Sequence, residues 1–260
     1  MKNRRFRFKY ELLLCVFLLL LFRVDSVIQF ILFRVIGMDI ASIPASVIAI
    51  ILHAGAFFIV IAVGLHDQRK SLVEVCYFKK TSSAVWGAAV LCAIGFVLLH
   101  FYLNNLCYRI FTGWDTFYSN GNEPETTWSA IISWALIPAV AEELLFKGLI
   151  FTGLKKRHSQ RAAIIISSLL FAAVHLNLVR IIPLFLFSLC TFWLYLRTGS
   201  LLLPMLIHFI NNLCATLLIT EPFYSPGTFI VSQILFWLGF FLLYKATSKT
   251  NKTEGVLNEK

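Results

Sequence analysis

Apolar runs long enough to cross a bilayer recur along the whole chain, separated by short polar or basic clusters. They read as helical spans at 43–65, 84–104, 128–154, 161–178, 181–197, 200–219 and 228–245. Before them comes a basic start, MKNRRFRFK, followed by LLLCVFLLLLF. This looks like the head of a secretory signal peptide, but Arg23-Val24-Asp25 stands where a small-residue cleavage site would be. It is therefore read as a retained first span, interrupted by Arg23 and Asp25, which pair with each other or with a neighbouring helix. The pattern predicts an all-α, polytopic membrane protein with about eight transmembrane helices, each suited to a ~30 Å hydrocarbon core. Some later spans are joined by very short loops, and TSKTNKTEGVLNEK closes the chain as a polar tail.

Composition strengthens that reading. Hydrophobic residues make up 59% of the 260 residues, against ~45–50% in ordinary soluble domains. Charged residues are 14%, against ~25%. A soluble fold of this size could not hide so much apolar surface, whereas in a bilayer apolar side chains face outward. One membrane domain is expected: N-terminal helices and an outer loop over 1–127, a core over 128–220, and a last helix with its cytoplasmic tail over 221–260.

The net charge of +10 raises nucleic acid as a partner. The cations, however, sit in short clusters between apolar runs, as cytoplasmic loops do, so no nucleic-acid partner is expected. With the N-terminus inside and the spans alternating, Arg34, Arg109 and Arg180 are the cations that fall outside, while Arg23 and Lys147 lie within spans. This asymmetry puts both termini in the cytoplasm of a multi-pass cell-membrane protein. The loop around 105–127, with Asp115, Glu123 and Glu125, falls outside. The six cysteines form no CxxC pair and mostly lie in apolar runs, where they act as small buried hydrophobes.

Charge inside a span needs a reason, since an ionised group at the bilayer centre costs ~2.5–3.5 kcal/mol even on the lenient insertion scale. Glu142 and Glu143 sit together mid-span in IPAVAEELLFKGLIF. Lys147 follows Glu143 by four residues, so these two share a helix face and pair. Glu142 points about 100° away and has no such local partner. The spacing divides the labour: Glu143 and Lys147 form a structural ion pair, and Glu142 is left to serve as a general base.

Two histidines join the set. His175 closes FAAVH near the end of the fifth span, and His208 opens HFINN in the seventh. Asn212 lies four residues after His208 on the same face, and Asn211 reads as turned away. At a rise of ~1.5 Å per residue, Glu142, His175 and His208 reach overlapping depths in the membrane interior. Two imidazoles, a carboxylate and an amide at one depth can activate water and stabilise an oxyanion. The same groups also suit blander roles, because a membrane histidine often only bonds helix to helix, and a buried Glu–Lys pair is often structural or part of a proton path. His53, His66, His100 and His158 are assigned no role.

Taken in order, these residues resemble the motif set of the CPBP family, the CAAX proteases and bacteriocin-processing enzymes also called Abi. The family's EExxxR, FxxxH and HxxxN or HxxxD read here as Glu142-Glu143-xxx-Lys147, Phe171-xxx-His175 and His208-xxx-Asn212. The stretch YLRTGSLLLPMLIHFINN also looks like the family's run into its last motif, and the resemblance covers 128–220. It implies an eight-helix α fold with a catalytic cavity open toward the membrane and the cytosol. It implies Glu142 and His175 as the pair that activates water, and His208 and Asn212 as stabilisers of the tetrahedral oxyanion. The family is traditionally classed as metalloendopeptidase; zinc is possible but not required here, because the HExxH spacing is absent. Lys147 stands where the family has arginine, which keeps the charge and loses the bidentate fork.

The expected activity is hydrolysis of a peptide bond in a membrane-associated peptide, either a CAAX-like tail or a bacteriocin- or pheromone-type leader. The expected partners are membrane lipid and a hydrophobic or lipidated peptide, cut on the cytoplasmic side of the bilayer's midplane. Two other classes stay open: a non-catalytic membrane scaffold or bacteriocin-immunity protein of the same fold, and a proton-coupled transporter. The lack of a repeat and of paired broken helices argues against the transporter.

Overall fold

The computed structural model describes residues 8–39, 42–75, 82–111, 127–217 and 224–257, and between their connections these are helical. Helix α1 (Phe8–Phe30) runs on through a π turn at Ile31–Val35. There follow α2 (Ile43–Gln68), a short α3 (Leu72–Val75) and α4 (Ser83–Ile110). The second half holds α5 (Trp128–Lys155), α6 (Gln160–Val174), α7 (Ile181–Thr198), α8 (Leu202–Leu217) and α9 (Pro226–Leu257). Three of the starts are set by serine caps: Ser42, Ser82 and Ser159 accept from the N–H groups of Ala45, Val85 and Ala162.

Helices α2, α4, α5, α7 and the first part of α9 are long and apolar enough to cross a membrane, which makes five such helices among the described residues. Helices α6 and α8 are apolar but have only 15 and 16 residues. At ~1.5 Å per residue they reach ~23 Å, short of a ~30 Å core. The multi-pass helical fold expected from the sequence is present, and five of the expected spans meet the length and apolarity of a full crossing among the described residues.

Two span ends differ from the sequence reading. Helix α6 stops at Val174 instead of reaching 178, because Leu176 takes φ +51°, in the left-handed region, and turns the chain. The polar tail does not end the last helix, since α9 continues to Leu257. The outer loop begins later than expected, as α4 runs to Ile110, and Asp115, Glu123 and Glu125 lie outside the described residues. Cys76 also lies outside them, while Cys15, Cys92, Cys107 and Cys190 are buried. The interruption of the first span is met by a neighbouring helix. Asp25 is buried, accepts from Gln29 at 2.6 Å and lies 3.7 Å from His53 of α2, whereas Arg23 is exposed.

Helices α4 and α9 pack antiparallel where neither presents a side chain. A Cβ on Gly95 would run into the backbone of Phe236, and one on Gly239 into the backbone of Cys92. Between membrane helices, such close backbone approach supplies the attraction that hydrophobicity cannot, because lipid is as apolar as the side chains. Gly95→Val is therefore expected to destabilise the fold by ~1–3 kcal/mol or more. The measurement is thermal denaturation of the detergent-solubilised protein, and an unchanged midpoint would contradict this packing.

Contacts between helix ends show which ends share a face. Arg157 donates to Glu11 at 3.0 Å, Gln68 to the Leu149 carbonyl at 3.1 Å, and Lys70 Nζ to Thr152 Oγ1 at 2.6 Å. These join the start of α1, the end of α2 and the end of α5 into what is here termed the basic end. At the opposite end Tyr224 stacks on Tyr102 and lies under the Arg109 guanidinium, joining the end of α4 to the start of α9.

Helix α5 carries the two glutamates and is irregular. It widens into π-type hydrogen bonding over Ile131–Leu136 and again over Leu144–Phe151. Pro138, which has no N–H to give, follows the first wide turn. The tighter piece between the two wide turns, Ile137–Glu143, ends on the glutamate pair. Wide turns of this kind often sit beside functional groups, because they re-aim the side chains that follow.

Candidate active site

Glu143 and Lys147 pair as their spacing predicts: Nζ lies 2.5 Å from Oε2, and each side chain is 1% exposed. Lys147 also donates to Thr191 Oγ1 at 3.0 Å and sits 4.5 Å over the Phe192 ring, so α7 completes its surroundings. The other oxygen of Glu143 is used too. Glu143 Oε1 accepts from His208 Nδ1 at 3.0 Å. Glu143 is thus the shared anchor of a cation on its own helix and an imidazole on α8.

Glu142 points the other way, into a cavity of about 940 Å³ whose wall also holds His175, His208 and Asn212. Its Oε2 lies 3.8 Å from His208 Nε2 and 4.0 Å from His175 Nε2. That oxygen is buried and has no hydrogen-bond partner among the described residues. His175 donates from Nδ1 to the Phe171 carbonyl at 2.8 Å, which leaves Nε2 as an acceptor in the neutral ring. The left-handed turn at Leu176 follows directly, so His175 projects from a helix end instead of a helix side. Non-glycine residues take that conformation rarely, and the other described one, Arg69, ends α2. Phe171 and Phe187 hold the His208 ring edge-on, at centroid distances of 5.8 and 5.1 Å.

The asparagines differ from the sequence reading. Asn211 is not turned away; it is buried in the cavity wall beside Asn212. Positions three and four after His208 flank its direction on either side, so both reach the same face. Asn211 Nδ2 donates to Asn212 Oδ1 at 3.2 Å, and Asn211 Oδ1 lies 2.7 Å from His100 Nδ1. His100 Nε2 in turn lies 3.2 Å from Asn104 Nδ2. With every amide oxygen accepting, one direction of donation runs from Asn104 through His100 and Asn211 to Asn212. His100, given no role from the sequence, therefore ties α4 to the site. No local signal marked it, because it is a lone histidine in an apolar stretch.

Among the described residues no three His, Cys, Asp or Glu side chains are grouped so as to hold a metal ion. Tetrahedral zinc with bonds of ~2.0–2.1 Å needs its donors ~3.4 Å apart. Glu142 stands further than that from both imidazoles, at 3.8 and 4.0 Å. At these separations the three side chains do not form a ready zinc shell, whereas one water molecule can bridge Glu142 and His175 by hydrogen bonds.

The ionisable cluster thus lines a cavity among helices, five of which are long and apolar enough to cross a membrane among the described residues. Residues 124–214 match a family model described as Type II CAAX prenyl endopeptidase Rce1-like. The matched stretch contains Glu142, Glu143, Lys147, His175, His208 and Asn212, and the match agrees with the CPBP resemblance of the motifs. It supports, at the level of the family, a CAAX-type intramembrane protease. No curated protein and no solved structure matches the chain.

Proposed function

We propose that this protein is an intramembrane endopeptidase that hydrolyses a peptide bond in a membrane-associated peptide, with its catalytic core in residues 128–220. The observation that carries the reading is the convergence of Glu142, His175 and His208 from three helices on one point of the cavity wall. A water held between Glu142 Oε2 and His175 Nε2 gives its proton to this pair as its oxygen attacks the scissile carbonyl. The oxyanion that forms is met by Asn212 Nδ2, which the chain from Asn104 holds in one orientation, beside the His208 ring that Glu143 anchors. Collapse passes the proton to the leaving amine, so one water supplies both the new carboxyl oxygen and the amine hydrogen. Glu143 and Lys147 position His208 and do not touch substrate.

Counting α1, α6 and α8, the chain crosses the bilayer eight times. Both termini lie in the cytoplasm, as the cation distribution favours. The substrate brings apolar or lipidated surface, and its scissile segment is extended, because a helix hides its carbonyls. The test is to offer the purified protein, in lipid nanodiscs, prenylated and unprenylated CAAX peptides beside hydrophobic leader peptides, and to map cuts by mass spectrometry. At least one membrane peptide should be cut at a defined bond. Cleavage of casein with every membrane peptide intact would overturn the proposal.

A further inference from the structure

We infer that the catalytic cavity opens on the extracytoplasmic side of the membrane, so that the substrates are exported apolar peptides and not cytosolic prenylated tails. This rests on the protease reading for what happens in the cavity, and on the fold alone for where it opens.

Each helix that lines the cavity does so with one half only. Helix α5 contributes Ala130, Trp134, Pro138 and Glu142, one stripe at every fourth residue, and nothing beyond Glu142. From Leu144 to Phe151 every residue of α5 is buried, so the cavity has a solid floor there. Helix α8 lines it from His208 onward, and α1 from Asp25 onward. Helix α6 contributes only Phe171 and His175, at its end, and α7 only its first half, from Leu184 to Phe187, after Arg180. Helices α1, α6 and α8 run away from the basic end, while α5 and α7 run toward it. All the lining halves therefore lie at the end opposite the basic one.

Exposure rises in the same direction. Phe30 is 62% exposed and Ala215 and Arg34 are exposed, while Pro138, His208 and Asn211 are buried. Below Glu142 the way is closed by the Glu143–Lys147–Thr191 layer. A substrate enters past Phe30 and Ala215 and meets Glu142 last.

The sign of the two ends follows from their charge. The basic end holds Lys155 at the end of α5, Lys156 and Arg157 in the turn after it and Arg161 at the start of α6, with Arg69 and Lys70 after α2. Among the described residues the cavity end holds Arg34, Arg109 and Arg180, with Arg23 near the middle of α1. Positive charge stays in the cytoplasm, so the closed end faces the cytosol and the open end faces out. This reverses the cytosolic opening that the family resemblance implied. An inner-leaflet prenyl tail would meet the floor, whereas an apolar peptide that has crossed or is crossing the membrane can enter sideways from the outer leaflet.

The test reads accessibility and needs no catalysis. Ala215→Cys, Ala130→Cys and His158→Cys are made singly in the full chain with its native cysteines replaced, and a membrane-impermeant maleimide is added to spheroplasts or to inverted vesicles. Ala215→Cys and Ala130→Cys should be labelled in spheroplasts, with labelling lost in inverted vesicles, and His158→Cys should show the reverse. Labelling of the two cavity positions only from the cytoplasmic face, or from neither face, overturns the inference. As a check that needs no cysteine replacement, the unaltered chain carries green fluorescent protein or alkaline phosphatase at its C-terminus. Fluorescence with a silent phosphatase supports the inference, and active phosphatase without fluorescence overturns it. If labelling is as expected but no peptide is cut, the protease reading fails and the orientation stands; if peptides are cut but the labelling is reversed, only the orientation fails.

Discussion

Glu142→Gln is expected to lower peptide cleavage by ~10²–10⁴-fold, the usual contribution of a positioned general base. Glutamine keeps the shape of glutamate, so the cavity wall and the packing of α5 survive. What it loses is the proton acceptor. Glu142 Oε2 has no hydrogen-bond partner among the described residues, and its neighbours His175 and His208 stand 4.0 and 3.8 Å away. No ion pair comparable to that of Glu143 is broken, and the protein should stay folded in detergent. Because the carboxylate works in the transition state, kcat should fall with little change in KM. Glu142→Asp should also be impaired, since a shorter side chain widens both gaps to the imidazoles. Full activity of the glutamine variant in the peptide assay would refute the mechanism.

What the sequence made legible, and what it hid, divides by range. The pairing of Glu143 with Lys147 is a local property of one helix, four residues apart, and spacing alone located it. The same holds for the bilayer-length runs and for the order of the motifs. The dependence of His208 on Glu143 spans 65 positions and has no local signature. The link from His100 to Asn211 spans 111 and is equally silent. Asn211 is hidden for a different reason: positions three and four after His208 both face one side, and a single ideal angle does not show it. The wide turns in α5 are invisible to a 3.6-residue period, yet they lie on both sides of the glutamates. The side on which the cavity opens needed both kinds of information. Cations in the sequence indicate which end is inside, but only the folded chain shows which end is hollow.

Glu143→Gln should act by another route, destabilising the protein by ~3–5 kcal/mol because it leaves a buried cation without its counter-charge. Lys147 is 1% exposed, and its other direct contacts, the Thr191 hydroxyl and the Phe192 ring, carry no negative charge. The loss should appear as lower yield and a lower melting midpoint in detergent. Activity per folded molecule should suffer less than in Glu142→Gln, since the glutamine carbonyl can still accept from His208 Nδ1. Adding Lys147→Met to Glu143→Gln removes the stranded charge and should recover much of the midpoint, as is common when a buried pair is replaced whole. Lys147→Arg, which restores the family's residue, should keep the midpoint, because a guanidinium can bond Glu143 and Thr191 together. The two glutamates are neighbours in sequence, so the pair of variants separates their roles: one should lose turnover and keep the fold, the other should lose the fold first. If Glu143→Gln melted like the unaltered protein, the buried pair would not be what holds α5 to α7 and α8.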